Sequence, residues 1–287
     1  MNTEFRYDSL NEIRQLLEDH GLNMNKRFGQ NFLLSRGARE RIISALDVDH
    51  HSTFWEVGPG LGALTHAVLP RVDALTIFEI DRGFIKILHE FFGEDDACTI
   101  VEGDVLKSWP VYLKDHEVPD VIYGNLPYNV GAKCIASFIE QGCLPRKMVF
   151  TLQKEVIQRM KADPGSRQYS AFTVLCSIDY TVKDLFDINP GAFYPVPDVI
   201  SSVVAMTRRE ESSVPRGERE LFMRMVHQLF SQRRKTILNN LSRFSGFPKR
   251  SKLELSMVLE KGGFNPKLRV EQLDMDRLHA LYVLLTG

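Results

Sequence analysis

TFWEVGPGLGALTHAVL, residues 53–69, decides the fold. A short apolar run meets three alternating glycines, Gly58, Gly60 and Gly62, and then passes into a helical pattern. Glycines here let the backbone turn sharply and let a ligand approach closely. A second apolar run, ALTIFEI (74–80), carries Glu79 at its end, 21 residues after Gly58. An acid at the tip of a second strand accepts hydrogen bonds from a ribose diol. Strand, glycine loop, helix, strand and acid in that order predict a ligand with an adenosine-like ribose.

The loop itself narrows the ligand. A dinucleotide site uses G-x-G-x-x-G, with the pyrophosphate on the helix N-terminus. This loop is G-x-G-x-G and follows Glu56. An acid there repels a pyrophosphate and suits a cationic amino group. S-adenosylmethionine, with an ammonium, a sulfonium and a carboxylate, is therefore the predicted cofactor. A third strand, CTIVEG, leads into Asp104, placed to meet the adenine amino group.

Outward from this unit, short apolar runs alternate with helical patterns: DVIYGN then AKCIASFIEQ, and KMVFTLQ then KEVIQRM. TVKDLFDI and SSVVAMTRR read as two last strands. The predicted class is α/β, a parallel sheet with helices on both faces. DSLNEIRQLLED (8–19) reads as an amphipathic helix, and 36–46 as another. Composition turns polar at 209–219, and helical periodicity runs from there to the end. The expected domains are 1–209, including an N-terminal helix and arm over 1–35, and an all-helical 210–287.

The chain has 287 residues and a net charge of −1, so any nucleic-acid surface must come from local clustering of Lys and Arg. Its four cysteines form no C-x-x-C pair and read as buried thiols of a reducing compartment. The N-terminus has no apolar signal segment, and no run suits a membrane span. A cytoplasmic protein is expected, with a monomer as the assumed state. Asp47, Asp49, His50 and His51 match no metal-ligand spacing, so no metal is expected.

GNLPYN (124–129) follows the fourth strand, read as ending at Tyr123. This loop opens at the carboxyl edge of the sheet, beside the cofactor crevice. An exocyclic amine on an aromatic base is a weak nucleophile, because its lone pair is delocalised into the ring. Two acceptors aligned on its N–H groups, the Asn125 side-chain oxygen and the Leu126 carbonyl, release that lone pair. Pro127 holds both in place, and Tyr128 stacks on the base. Catalysis is then positioning and electrostatics without a strong base.

KRFGQNFL (26–33), EVGPGLGALT (56–65), EGDVL (102–106), GNLPYNV (124–130), LQKEV (152–156) and FYPVPDVISSVV (193–204) together resemble the rRNA adenine N6-dimethyltransferase family. FSQRRKTILNNL (230–241) resembles its small-subunit branch. The resemblance implies a Rossmann-like class I methyltransferase domain followed by a helical domain, and dimethylation of two adjacent adenines in the hairpin loop near the 3′ end of small-subunit rRNA, with naked rRNA or an assembling subunit as substrate. It implies cofactor contacts from Gln30, Asn31, Leu33, Gly58, Gly60, Glu79, Ile80, Asp104, Val105 and Asn125. It also implies Phe193 as a second stacking aromatic opposite Tyr128. The chain departs from the family pattern at Asp198 and Ile200, and at Gly131 and Ala132.

Residues 231–252 hold seven Lys or Arg and no acid. Arg233, Arg234, Lys235, Arg243, Lys249 and Arg250 are candidate phosphate contacts, with Lys26 and Arg27 as a second group. Four other readings stay open at this point. They are the large-subunit branch linked to macrolide resistance, a non-catalytic ribosome-assembly factor, a nicotinamide dehydrogenase and a DNA adenine methyltransferase.

Overall fold

The computed structural model describes residues 5–22, 31–48, 50–127 and 130–287. They divide into two compact units. The first takes Met1–Ile157 and Lys183–Arg208, and the second Gln158–Val182 and Arg209–Gly287. Beside the expected 1–209 and 210–287, the boundary falls one residue earlier and Gln158–Val182 groups with the C-terminal helices.

The first unit opens with α1 (Leu10–Asp19), whose N-cap Ser9 accepts from the Glu12 N–H. A short β1 (Phe32–Leu33) leads to α2 (Arg36–Leu46), capped by Ser35. The sheet strands that follow are β2 (Thr53–Val57), β3 (Ala74–Glu79), β4 (Cys98–Glu102), β5 (Val121–Asn125) and β6 (Lys147–Gln153). Between them lie α3 (Thr65–Val68), α4 (Arg82–Phe92), α5 (Val105–Tyr112) and α6 (Gly131–Glu140). After β6 come α7 (Lys154–Met160), α8 (Ala171–Asp179), β7 (Tyr180–Ile188), β8 (Phe193–Tyr194) and β9 (Ser201–Arg208).

The seven-stranded sheet has the order β4-β3-β2-β5-β6-β9-β7. β4, β3, β2, β5 and β6 run parallel, and β9 is antiparallel to β6. Strand order reverses between β2 and β5, so the loops after these two strands diverge and leave a crevice at the carboxyl edge. Glycine makes the approach possible: a Cβ on Gly124 would lie 2.3 Å from the Val57 carbonyl oxygen. Central strands buried on both faces read as near-continuous apolar runs, and β6 is buried at all but its two ends. On α4 the buried Phe84, Ile87, Leu88, Phe91 and Phe92 recur at helical spacing, and Asp81 caps it through the Gly83 N–H at 2.8 Å.

Two helices have no counterpart in the sequence reading. In α8, polar and apolar residues alike are buried, Thr173 and Asp179 included, so no amphipathic period exists to be read. α5 carries Pro110 inside it, which reads as a breaker. β5 continues to Asn125 rather than ending at Tyr123, because Asn125 still pairs with Thr151 of β6.

The second unit packs α8 with α9 (Arg219–Ser231), α10 (Ile237–Leu241), α11 (Lys252–Lys261) and α12 (Met275–Thr286). Buried Asn240 donates to the Leu229 and Gln232 carbonyls at 3.2 and 3.3 Å, satisfying the end of α9. The ILNN stretch is thus an internal clasp. No helix among the described residues is long and apolar enough to cross a membrane.

Candidate active site

The crevice predicted by the strand order is present as a cavity of about 160 Å³, lined from the glycine loop, β1 and the ends of β2, β3 and β5. Gly58, Gly60 and Gly62 have φ of +67°, +60° and +83°, which L side chains rarely adopt. Gly62 also has no space for a side chain, since a Cβ would meet the Phe92 ring at 2.4 Å.

Glu79 ties the loops together. Its carboxylate accepts from the N–H groups of Gly60 at 3.1 Å, Ile80 at 2.8 Å and Asp81 at 2.9 Å. Its backbone carbonyl accepts from Gly103 at 2.7 Å, which anchors the loop that carries Asp104. Burial nonetheless pushes the Glu79 carboxyl up to about 7. Glu56 on β2 is similar: burial raises it to about 7, while Thr65 Oγ1 at 2.6 Å and Tyr123 Oη at 3.0 Å donate to one of its oxygens. Two buried carboxyls therefore sit on adjacent strands, and among the described residues only neutral donors bond to them.

Asp104 caps α5 by accepting from the Leu106 N–H at 3.0 Å, and Val105 begins that helix beside the cavity. Ile80, a large apolar residue left 44% exposed, also lines it. Asn31 and Leu33 reach the cavity through β1, and Asn125, Leu126 and Pro127 reach it from β5. The Asn125 amide nitrogen donates to the Asn31 carbonyl oxygen at 2.8 Å. A carbonyl can only accept, so this contact fixes the amide's orientation and leaves Asn125 Oδ1 as an acceptor. Gln30, Tyr128, Lys26 and Arg27 lie outside the described residues.

The structure places Phe193, the second stacking aromatic of the sequence reading, at the β1–β8 pair. It lies in β8 opposite Leu33 of β1, and its ring is 2% exposed within the core. The β1–β8 pairing turns it inward and gives the next position, Tyr194, a half-buried setting with the Arg14 guanidinium 5.2 Å from its ring. Sequence reasoning also missed Arg39, a buried arginine whose Nη1 donates to the Leu33 and Leu34 carbonyls at 2.8 Å and to Tyr7 at 3.3 Å. Lone arginines on helices usually face water, so nothing in the local pattern marks it. The thiols of Cys98, Cys134 and Cys143 are pushed up to about 12 by burial.

The family model for "Ribosomal RNA adenine dimethylase" matches residues 21–282. The chain belongs to this family. It is 43% identical over 272 residues to the "Ribosomal RNA small subunit methyltransferase A" of Treponema denticola, covering 93% of this chain and 91% of that one. The protein of the same name from Borreliella afzelii is 36% identical, over 85% of this chain and 84% of the other. A dimethyladenosine transferase from Plasmodium falciparum shares the fold at a TM-score of 0.73 and 24% identity, over 86% and 94% of the two chains. The 23S rRNA methyltransferase ErmE does so at 0.65 and 22%, over 89% and 99%. These two neighbours show that the fold is shared.

In the second unit, the basic stretch of this dimethylase-family chain splits in two. Arg234, Lys235, Arg243 and Lys249 are exposed. Arg233 is not free: it pairs with Glu271 at 2.8 Å and donates to the Arg167 and Ser166 carbonyls. Arg250 donates to the Leu285 carbonyl at 3.3 Å. Both are engaged within their own unit, which leaves four of the six candidates on this stretch exposed.

Proposed function

We propose that this protein is a small-subunit rRNA adenine N6-dimethyltransferase, using S-adenosylmethionine to modify two adjacent adenines near the 3′ end of that rRNA. The observation that carries it is Asn125: held by Asn31, at the switch point of the sheet, with Oδ1 left as an acceptor beside the glycine loop. The name shared by the Treponema and Borreliella relatives supports the small subunit over the large one.

The cavity suits the cofactor chemically. Two buried acids bonded only to neutral donors favour a ligand that brings a cation and hydroxyl donors. Glu56 would take the ammonium, Glu79 the ribose and Asp104 the adenine amino group, with Gly58 and Gly60 giving close backbone approach. When bound, the cofactor supplies an electrophilic methyl group. Asn125 Oδ1 and the Leu126 carbonyl accept from the target amine and free its lone pair. Pro127 fixes the spacing between these two acceptors. Tyr128 stacks on the extruded base, which must leave its own stack to enter. No residue need act as a strong base, because the amine's acidity rises steeply once it is methylated and cationic. Arg234, Lys235, Arg243 and Lys249 contact phosphates, and an assembling small subunit is the proposed partner.

The test is transfer of radiolabelled methyl groups to unmethylated small and large ribosomal subunits, with Asn125→Ala alongside. Dimethyladenine on the small subunit, reduced by about 10²–10³-fold in the variant, is expected. Label on the large subunit instead would move the protein to the other branch. Full activity in the variant would remove Asn125 from the chemistry.

A further inference from the structure

Tyr7 and Ile13 line the same cavity as Glu56 and the glycine loop, yet both precede residue 21, where the family match begins. Tyr7 is 7% exposed. Its ring lies 5.6 Å from that of His66, and the adjacent Thr65 donates to Glu56. Phe5 meets it edge-on at 4.9 Å. Arg39 holds the Tyr7 carbonyl and the Leu33 carbonyl together, so one guanidinium fixes this residue and β1 as adjoining walls. The Tyr7 hydroxyl has no hydrogen-bond partner among the described residues. A buried phenol ordinarily finds one.

Charge balance in the cavity gives that hydroxyl a task. Its described lining includes the acids Glu56, Glu79 and Asp104 and no Lys, Arg or His. The amino-acid end of S-adenosylmethionine is a zwitterion. Glu56 suits its ammonium and repels its carboxylate, so the carboxylate must be met by neutral donors. Tyrosine offers an uncharged donor at the Glu56 side of the site. Burial and the Glu56 charge both push this phenol up, so it keeps its proton.

We propose that Tyr7 is a further cofactor-binding residue, whose hydroxyl donates to the cofactor carboxylate while Glu56 takes the ammonium. The proposal rests on the cofactor reading above and adds a contact from the segment preceding the family match.

Calorimetric titration of wild type and Tyr7→Phe with two probes tests it. S-adenosylhomocysteine carries the amino-acid end, and 5′-methylthioadenosine lacks it. The variant should bind S-adenosylhomocysteine about tenfold more weakly, and 5′-methylthioadenosine within about twofold of wild type. Equal weakening toward both probes would mean that the ring only shapes the wall, and would overturn the proposal. Unchanged affinity for S-adenosylhomocysteine would overturn it as well. Wild-type protein that binds neither probe would sink the cofactor reading itself. Retained 5′-methylthioadenosine binding in Tyr7→Phe also shows that the variant is folded.

Discussion

Buried acids are treated in opposite ways in the two units. In the first, Glu56 and Glu79 lie on neighbouring strands, 2% and 5% exposed, and among the described residues accept only from hydroxyls and backbone N–H groups. In the second, Asp179 at the end of α8 is 4% exposed and is met by the Arg219 guanidinium. The first arrangement leaves negative charge uncompensated, and burial raises both carboxyls to about 7. The second closes the balance inside the protein. In the proposed function the uncompensated pair meets a ligand, whereas the compensated one holds the fold.

Breaking the closed pair should give the largest effect. Arg219→Met strands the Asp179 carboxylate and should destabilise the protein by about 4 kcal/mol in denaturant unfolding. Pairing it with Asp179→Asn should recover most of that loss. Cofactor affinity at temperatures where the variant stays folded should be unchanged. A matching drop in affinity would show that Asp179 is not merely structural.

Opening the other side of the comparison reverses the sign. The folded-state value of Glu56 lies above its unfolded one, so its contribution to stability is full below about 4.5 and is lost as pH rises through about 7. A glutamine carbonyl can still accept from Thr65 and Tyr123. Glu56→Gln should therefore match wild type near pH 4.5 and exceed it by up to about 3 kcal/mol above pH 7, without cofactor. The same variant should bind S-adenosylmethionine more weakly at pH 8. In wild type that affinity should rise roughly tenfold from pH 6 to 8 as the free site ionises. A pH-independent stability difference would mean that Glu56 is already charged in the free protein.

The smallest effects separate the basic residues. Arg233→Ala should cost about 1 kcal/mol by removing the partly exposed Glu271 pair, and should leave the salt dependence of RNA binding unchanged. Arg234→Ala and Lys235→Ala should each lower the salt slope by about one and leave stability alone. Equal slopes for all three variants would erase the distinction between locked and free arginines.

The alternation of apolar runs, the glycine loop and the acid ending the second strand were legible because each depends on local backbone chemistry. Glycines at positive φ, strand tips and helix caps are set by neighbours within a few residues. The strand and helix readings around 53–69, 74–92 and 147–160 accordingly match elements of the structure to within a few residues. α8 was invisible because it is buried on all sides and shows no period. Membership of Gln158–Val182 in the second unit was invisible because it depends on which distant helices it packs against.

The sequence by itself determined the alternation of most strands and helices, the place of the crevice and the identity of its acids. Only the tertiary structure decided which side chains face that crevice. The pairing of β1 with β8 buries Phe193, and the reach of Arg39 across three carbonyls sets Tyr7 against the cavity. Glu271 withdraws Arg233 from the free basic residues. Each outcome turns on contacts between segments tens of residues apart, where a one-position shift in pairing exchanges a buried face for an open one.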